Sequence, residues 1–158
     1  MIKLPKNIKW IITDFDGVIT NNCVYINEEG KMSRRLNFKD IMAFFILKKA
    51  GYSLAIISGE KNKAIELISE RFGVDEVHQR IRVKIDVLKS IMEKYNFTKD
   101  EFVYIGDDIN DLECLEFSKY KVTVPHAVDK IKEVKDIQVT SSNAGEGAFR
   151  EVADCLVG

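Results

Sequence analysis

The sequence lacks an excess of charge of either sign. Its 24 Lys and Arg residues nearly balance 25 Asp and Glu residues, which leaves a formal net charge of −1. This balance excludes a general electrostatic attraction to nucleic acid or to anionic membranes. No apolar run approaches the roughly 20 residues that a membrane-spanning helix requires, and no signal-peptide pattern is present. We therefore expect neither a nucleic-acid partner nor a membrane partner.

Cysteine is also scarce. The three cysteines, Cys23, Cys114 and Cys155, are far apart in the sequence and form no Cys-x-x-Cys pair. An odd number of widely spaced cysteines does not indicate a disulfide framework. Reduced thiols in a cytoplasmic protein are the natural interpretation.

The organisation of the chain indicates one domain, residues 1–158, because no repeat, low-complexity segment or linker interrupts it. Short apolar strands alternate with helical patterns, an order typical of a parallel, doubly wound α/β sheet. A β-hairpin is predicted after the first strand, at about residues 24–38, around a loop that contains Gly30. Strands are predicted near 10–12, 53–57, 74–77, 102–105, 121–124 and 137–139, and helices near 40–50, 62–72, 82–95, 128–134 and 148–156, with Asp40 as the cap of the first helix.

The stretch TDFDGVIT, residues 13–20, places Asp14 and Asp16 at the end of a buried strand. Residues i and i+2 of an extended segment point to the same side, so the two carboxylates crowd one another. Burial of an ionised carboxylate is costly unless it is paired or binds a metal. Either the pair ends the strand in an Asp-Gly turn, or the two acids share a cation or a proton-transfer task.

Polar residues also follow two other predicted strands: Ser58 and Gly59 after the second, and Asp107 and Asp108 after a later one. Ligands of open α/β sheets bind outside the carboxyl ends of the strands, so these residues converge with the first acidic pair. Four converging carboxylates repel one another without a cation, and their hard oxygens suit Mg²⁺. Lys84 is the candidate for a fixed positive charge beside a phosphoryl group, with an ordinary surface position as the alternative.

These residues resemble a known family. DFDGVIT, IISG, Lys84 and GDDIND match, in order, the four signatures of the haloacid dehalogenase superfamily of phosphatases. The resemblance spans nearly the whole chain. In detail, the chain resembles the capless branch of the superfamily, which hydrolyses phosphorylated 3-deoxy-2-keto sugar acids. It implies a three-layer, Rossmann-like α/β fold with the hairpin insertion and no cap domain.

The resemblance also implies roles for individual residues. Asp14 is the expected nucleophile, which forms an aspartyl phosphate, and Asp16 the expected acid and base. Asp14, the main-chain carbonyl of Asp16 and Asp107 are expected to bind Mg²⁺, with Asp108 in support. The phosphate is expected to bind Ser58, the Gly59 amide and Lys84.

Selectivity and assembly are implied less directly. The branch acts on 3-deoxy-D-manno-octulosonate 8-phosphate or on nine-carbon ulosonate 9-phosphates, and Glu60 after Ser-Gly, with Arg71 further along the helix, favours the nine-carbon acids. A capless enzyme cannot close its own site, so a homotetramer is expected in which hairpin 24–38 walls the active site of a neighbour. Arg34 and Arg35 on the hairpin could meet a substrate carboxylate across that interface.

Alternatives remain at this point. One is a catalytically silent interaction or tetramerisation domain of the acylneuraminate cytidylyltransferase type; another is a phosphatase of a different small phosphorylated metabolite. The intact set of acids, Ser58 and Lys84 argues against the first. His126 follows a predicted strand and could approach a substrate, although a loop histidine with no role explains it as well.

Overall fold

The computed structural model describes residues 1–158 and contains one six-stranded parallel sheet. The central strand, β1, pairs with β4 on one side and β6 on the other, in the order β5-β4-β1-β6-β7-β8. These strands are predominantly apolar, as expected for a sheet covered on both faces. Their bounds are β1 Trp10–Thr13, β4 Ser53–Ile57, β5 Glu76–His78, β6 Phe102–Ile105, β7 Tyr120–Thr123 and β8 Gln138–Val139, with β2 Tyr25–Ile26 and β3 Met32–Ser33 in a separate hairpin.

Helices cover both faces of the sheet. Alternate residues of β1 enter different cores: Ile11 packs with Phe44 and Phe149 on one face, whereas Ile12 packs with Leu88 and Ile131 on the other. The predicted three-layer, doubly wound fold is thereby confirmed. The helices are α1 Phe38–Lys49, α2 Lys63–Phe72, α3 Lys84–Tyr95, α4 Leu112–Phe117, α5 Asp129–Lys132 and α6 Ala148–Val157, with a 3-10 turn at Ile109–Asp111.

The first helix differs from its prediction at its N-terminus. It begins at Phe38, and the side chain of Asn37 caps it by accepting a hydrogen bond from the Lys39 amide. Asp40 is wholly buried and caps α6 instead, since it accepts hydrogen bonds from the amides of Gly147 and Phe149 at 2.9 and 3.0 Å. The prediction that Asp40 caps its own helix was therefore wrong, because a long-range partner takes its carboxylate.

The predicted hairpin insertion is present between β1 and α1. Its two short strands pair antiparallel, and a bridge between Thr20 and Leu36 ties its base to the segment after β1. No second domain covers the carboxyl edge of the sheet, as predicted. No helix of the structure is both long enough and apolar enough to cross a lipid bilayer.

Candidate active site

The carboxyl ends of β1 and β6 meet at one cleft. Asp14 and Asp16 follow β1, and Asp107 follows β6. Gly17 makes this approach possible: it has φ +88°, and a Cβ there would lie 2.0 Å from Asp107 Oδ2. The glycine of the Asp-Gly pair therefore serves the contact between two loops as well as a turn.

Asp14 is held from two sides. Its Oδ1 accepts a hydrogen bond from the Phe15 amide at 2.6 Å, and its Oδ2 lies 2.8 Å from Nζ of Lys84. Burial raises the pKa of Asp14 well above its ordinary value, and the charge of Asp111 adds to this effect while Lys84 opposes it. The carboxylate is thus fixed in orientation, but the positive charge of Lys84 does not fully offset its burial and the nearby charge of Asp111.

Lys84 is a buried residue and not a surface lysine. Its side chain is fully buried at the start of α3, where Nζ lies 2.8 Å from both Asp14 Oδ2 and Asp111 Oδ1. Burial alone would lower the pKa of Lys84, but the carboxylates of Asp111 and Asp14 outweigh it and raise the pKa. Lys84 is not among the residues that line the cleft, so it lies behind the nucleophile candidate.

Asp111 is a buried acid of this site to which the sequence reasoning assigned no role. Its Oδ1 accepts hydrogen bonds from Lys84 and from the Tyr104 hydroxyl, both at 2.8 Å, and its Oδ2 accepts from the amide of Asp107 at 3.1 Å. Gly106 leaves room for this carboxylate, since a Cβ there would lie 2.4 Å from Asp111 Cγ. The signal was available, because Asp111 is the last acid of GDDIND.

The acids of the cleft fit a divalent cation. Carboxylate oxygens of Asp14, Asp107 and Asp111 all lie within 4.8 Å of one another. Oδ1 of Asp107 is buried and has no hydrogen-bond partner. Burial, and then the charges of Asp111 and Asp108, raise the pKa of Asp107 to about 7. Hard, crowded oxygens with one unpartnered atom are the donor set that Mg²⁺ uses.

Among these acids, Asp107 has the free oxygen, Oδ1, for a metal. Each oxygen of Asp14 has one protein donor, whereas each oxygen of Asp111 has two. Asp108 also lies in the cleft lining, but its Oδ1 caps the 3-10 turn by accepting a hydrogen bond from the Ile109 amide at 2.6 Å. The structure therefore places Asp108 at the rim of the acidic group.

Asp16 is oriented by the hairpin. Its Oδ1 accepts hydrogen bonds from Arg34 Nε at 2.8 Å and from the Thr20 hydroxyl at 3.0 Å. Arg34 is thus paired within its own chain. Arg35, its neighbour, lies 4.0 Å from Glu146 and is half exposed.

Another part of the cleft lining contains the residues that were predicted to bind the substrate phosphate. Ser58, Gly59 and Glu60 follow β4 and line a volume of about 450 Å³, within the range of small-molecule sites. Ser58 is buried and its Oγ accepts a hydrogen bond from the Glu60 amide at 3.2 Å. Asn110 and Arg82 also line this wall and were not anticipated from the sequence.

Two other predicted contacts lie apart from this cleft. Arg71 is in the last turn of α2, where it packs against the ring of Phe72, and it does not line the cleft. His126 lines a separate neighbouring pocket of about 170 Å³, together with Asn143 and Glu146.

Known proteins are similar to this chain over most of its length. A model of the haloacid dehalogenase-like hydrolase family matches residues 19–152. The 3-deoxy-D-manno-octulosonate 8-phosphate phosphatase of Escherichia coli K12 is 28% identical over 157 residues, which are 99% of this chain and 83% of that protein.

Solved structures are similar over the same extent. The octulosonate 8-phosphate phosphatase of Moraxella catarrhalis, in complex with a magnesium ion, a phosphate ion and KDO, aligns with a TM-score of 0.90 at 27% identity, over 96% of this chain and 86% of that one. The cobalt-bound phosphatase of Haemophilus influenzae aligns with a TM-score of 0.87 at 27% identity, over 96% and 88% of the two chains. The family resemblance predicted from the four signatures is confirmed.

Proposed function

The chain belongs to the haloacid dehalogenase-like hydrolases and is a phosphatase of that family, and we propose that it hydrolyses the phosphate monoester of a 3-deoxy-2-keto sugar acid with Mg²⁺ as cofactor. The observation that carries the proposal is the pairing of Asp14 and Asp16 in one cleft with Asp107, whose buried Oδ1 has no protein partner. Three free thiols are consistent with the cytoplasmic location predicted from the sequence.

In this proposal Asp14, Asp107 and the main-chain carbonyl of Asp16 hold the metal, with Asp108 in support at the rim. The bound ion supplies positive charge that offsets the crowded carboxylates and the phosphate. Lys84 supplies a second, permanent positive charge from behind, through its 2.8 Å contact with Asp14 Oδ2. This contact fixes the orientation of the Asp14 carboxylate and opposes the rise in its pKa that burial causes.

The reaction proceeds in two steps. A carboxylate oxygen of Asp14 attacks phosphorus, the bond between phosphorus and the sugar oxygen breaks, and Asp16 donates a proton to that oxygen. Water then attacks the aspartyl phosphate and gives a proton to Asp16, and the bond between phosphorus and Asp14 breaks to release phosphate. Both acids lie in the same cleft, and Oδ2 of Asp16 has no hydrogen-bond partner in the protein that would compete for this proton.

The phosphate oxygens bind the wall formed by Ser58 and Gly59. The hydroxyl of Ser58 and the amide of Gly59 offer donors at the carboxyl end of β4, next to the amide side chain of Asn110. A Cβ at Gly59 would lie 3.2 Å from Asn110 Nδ2, so a side chain there would crowd this wall.

Two sugar acid phosphates are candidate substrates. The relatives named as octulosonate 8-phosphate phosphatases support the eight-carbon acid. Glu60, which lines the cleft, favours a nine-carbon ulosonate 9-phosphate, because a glutamate accepts hydrogen bonds from hydroxyls and repels a carboxylate. Arg71 would contribute to this choice only through a substrate or neighbour that reaches the end of α2.

The hairpin supports assembly into a homotetramer. Tyr25, Ile26 and Met32 expose more than half of their surface on the hairpin, and Phe38 at the start of α1 is 84% exposed. Exposed apolar residues in such a group are typical of an interaction surface. A neighbour that packs against them would help to wall a cleft that is open in the single chain.

Phosphate release with a panel of sugar acid phosphates tests the function. Mg²⁺-dependent release from the octulosonate or nonulosonate esters, lost in Asp14→Asn, would support the proposal. Release from another small phosphorylated metabolite alone would correct the substrate class. No release from any phosphate ester, by a folded protein loaded with Mg²⁺, would favour the silent interaction domain.

A further inference from the structure

We propose that Arg34 is the positioning residue of Asp16: it holds one oxygen of this carboxylate and so directs the other to the leaving group. The inference rests on the proposed function, because it assigns Asp16 to proton transfer. It concerns a hairpin residue outside the four family signatures.

The first support is the geometry of the Asp16 carboxylate. Arg34 Nε and the Thr20 hydroxyl both bind Oδ1, at 2.8 and 3.0 Å. Oδ2 has no hydrogen-bond partner in the protein, and Asp16 lines the cleft. Two donors on one oxygen fix the rotation of the carboxylate and leave the second oxygen free to exchange a proton with a substrate.

The second support is burial. The side chain of Arg34 is only 8% exposed, although it comes from a hairpin whose other side chains are mostly exposed to solvent. Lys31 on the same hairpin pairs with Glu29, and both of these side chains are more than two-thirds exposed. Exposed pairs of that kind contribute little, whereas removal of one partner of a buried pair has a large effect.

The third support is the anchorage of Arg34 itself. The bridge between Thr20 and Leu36 fastens the base of the hairpin two residues beyond Arg34. Thr20 therefore contacts Asp16 through its hydroxyl and the hairpin through its main chain. Arg34 and Thr20 approach the same oxygen from one connected segment, as required of a rigid support.

A positioned acid has a chemical consequence that a purely structural residue lacks. An alkyl phosphate such as a sugar phosphate has a poor leaving group and depends on proton donation, whereas p-nitrophenyl phosphate has a good leaving group and does not. General acid catalysis contributes about 10²–10⁴-fold where it is needed. Loss of the support should therefore slow the sugar phosphate selectively.

The experiment compares kcat for the preferred sugar acid phosphate and for p-nitrophenyl phosphate in Arg34→Met, Arg34→Lys and the control Lys119→Met. Lys119 is half exposed, pairs with Asp100 and belongs neither to the hairpin nor to the cleft lining. Arg34→Met should lower kcat for the sugar phosphate by about 10-fold or more, and for p-nitrophenyl phosphate by less than about 3-fold. Arg34→Lys should recover part of the loss, since an ammonium can still donate to Oδ1. Lys119→Met should behave as wild type with both substrates.

A double-mutant comparison adds a second readout. In an Asp16→Asn background, Arg34→Met should cause little further loss, because the group that Arg34 positions is already gone. Equal losses on both substrates, or additive losses in the double mutant, would overturn the inference while leaving the phosphatase function intact. Absence of phosphatase activity in the wild type would instead overturn the proposed function.

Discussion

Nζ of Lys84 lies 2.8 Å from Asp14 Oδ2, and the two side chains are 0% and 7% exposed. The same nitrogen lies 2.8 Å from Asp111 Oδ1, which is also fully buried. One buried cation therefore supports two buried carboxylates. Lys84 therefore contributes both to stability and to the proposed reaction, because Asp14, the proposed nucleophile, is a buried carboxylate that requires a partner.

Replacement of Lys84 by Met should destabilise the protein as well as inactivate it. The variant keeps most of the side-chain volume but leaves Asp14 and Asp111 without their cation. Loss of one partner of a buried ion pair costs about 3–5 kcal/mol. Urea denaturation of the metal-free protein measures this effect, and Lys89→Met, an exposed lysine of the same helix, is the control. A Lys84→Met protein as stable as the control would contradict the role of the pair.

Replacement of Asp107 by Asn separates metal binding from folding. Burial and neighbouring charges raise the pKa of Asp107 to about 7. Its ionised form therefore destabilises the folded protein when no cation is present. We expect the metal-free Asp107→Asn protein to be at least as stable as wild type at pH 8. Mg²⁺ should raise the thermal midpoint of the wild type but not that of the variant, as measured by thermal denaturation with and without the ion. Asp86→Asn, at an exposed acid of α3, is the control and should retain the shift. An undiminished Mg²⁺ shift in Asp107→Asn would place the metal elsewhere.

The fold and much of the site were predictable for a local reason. Continuous apolar runs such as Phe102–Ile105, separated by helical patterns, are what a sheet covered on both faces demands. In a parallel sheet the carboxyl ends of neighbouring strands share one edge, so Asp14, Ser58 and Asp107 had to converge whatever the details.

The errors and omissions have a different cause, since each depends on a contact between distant residues. Asp40 resembles a cap of its own helix, but its carboxylate binds amides 107 to 110 positions away. Asp111 becomes central only because Lys84, 27 positions earlier, is folded beneath it. Arg34 meets Asp16 because the hairpin folds back. Periodicity and propensity contain no information on such pairings.

Glu76, on the edge strand β5, should make the free energy of unfolding depend on pH in the acid range. Burial raises the pKa of Glu76, but hydrogen bonds from Lys94, Tyr95 and His78 outweigh it and lower the pKa from 4.5 to about 2. A depressed pKa means that the stabilisation is complete above about pH 4.5 and is lost as the pH falls towards 2.

Glu76→Gln should therefore lower the free energy of unfolding by roughly 2 kcal/mol at pH 7, and the difference from wild type should shrink at pH 3. Urea denaturation at the two pH values is the measurement. Glu70→Gln, at an exposed acid of α2 without an ion pair, is the control and should have little effect at either pH. A Glu76→Gln deficit that is equal at pH 3 and pH 7 would show that packing, and not charge, is lost.

The hairpin predicts the state of assembly. Tyr25 and Ile26 are 59% and 63% exposed, so their replacement by Ser leaves the single chain almost undisturbed. If the hairpin packs against neighbours, light scattering should give the mass of a tetramer for the wild type and a lower mass for the double variant. Activity on sugar acid phosphates should fall more than activity on an aryl phosphate. Leu67→Ser, at a residue of α2 that is 65% exposed, is the control, and an active wild-type monomer would refute the assembly.

Glu60 predicts the choice between the two sugar acids. It lines the cleft beside Ser58 and Gly59, where it can accept hydrogen bonds from the hydroxyls of a longer sugar. We expect a higher kcat/KM for the nonulosonate 9-phosphate than for the octulosonate 8-phosphate. Glu60→Arg should shift this ratio about tenfold towards the octulosonate, a change of about 1.4 kcal/mol in relative transition-state binding. Glu60→Gln isolates the charge from the ability to accept a hydrogen bond, and should shift the ratio less. A strong wild-type preference for the octulosonate that Glu60→Arg leaves unchanged would show that the selection lies elsewhere in the cleft or on a neighbouring subunit.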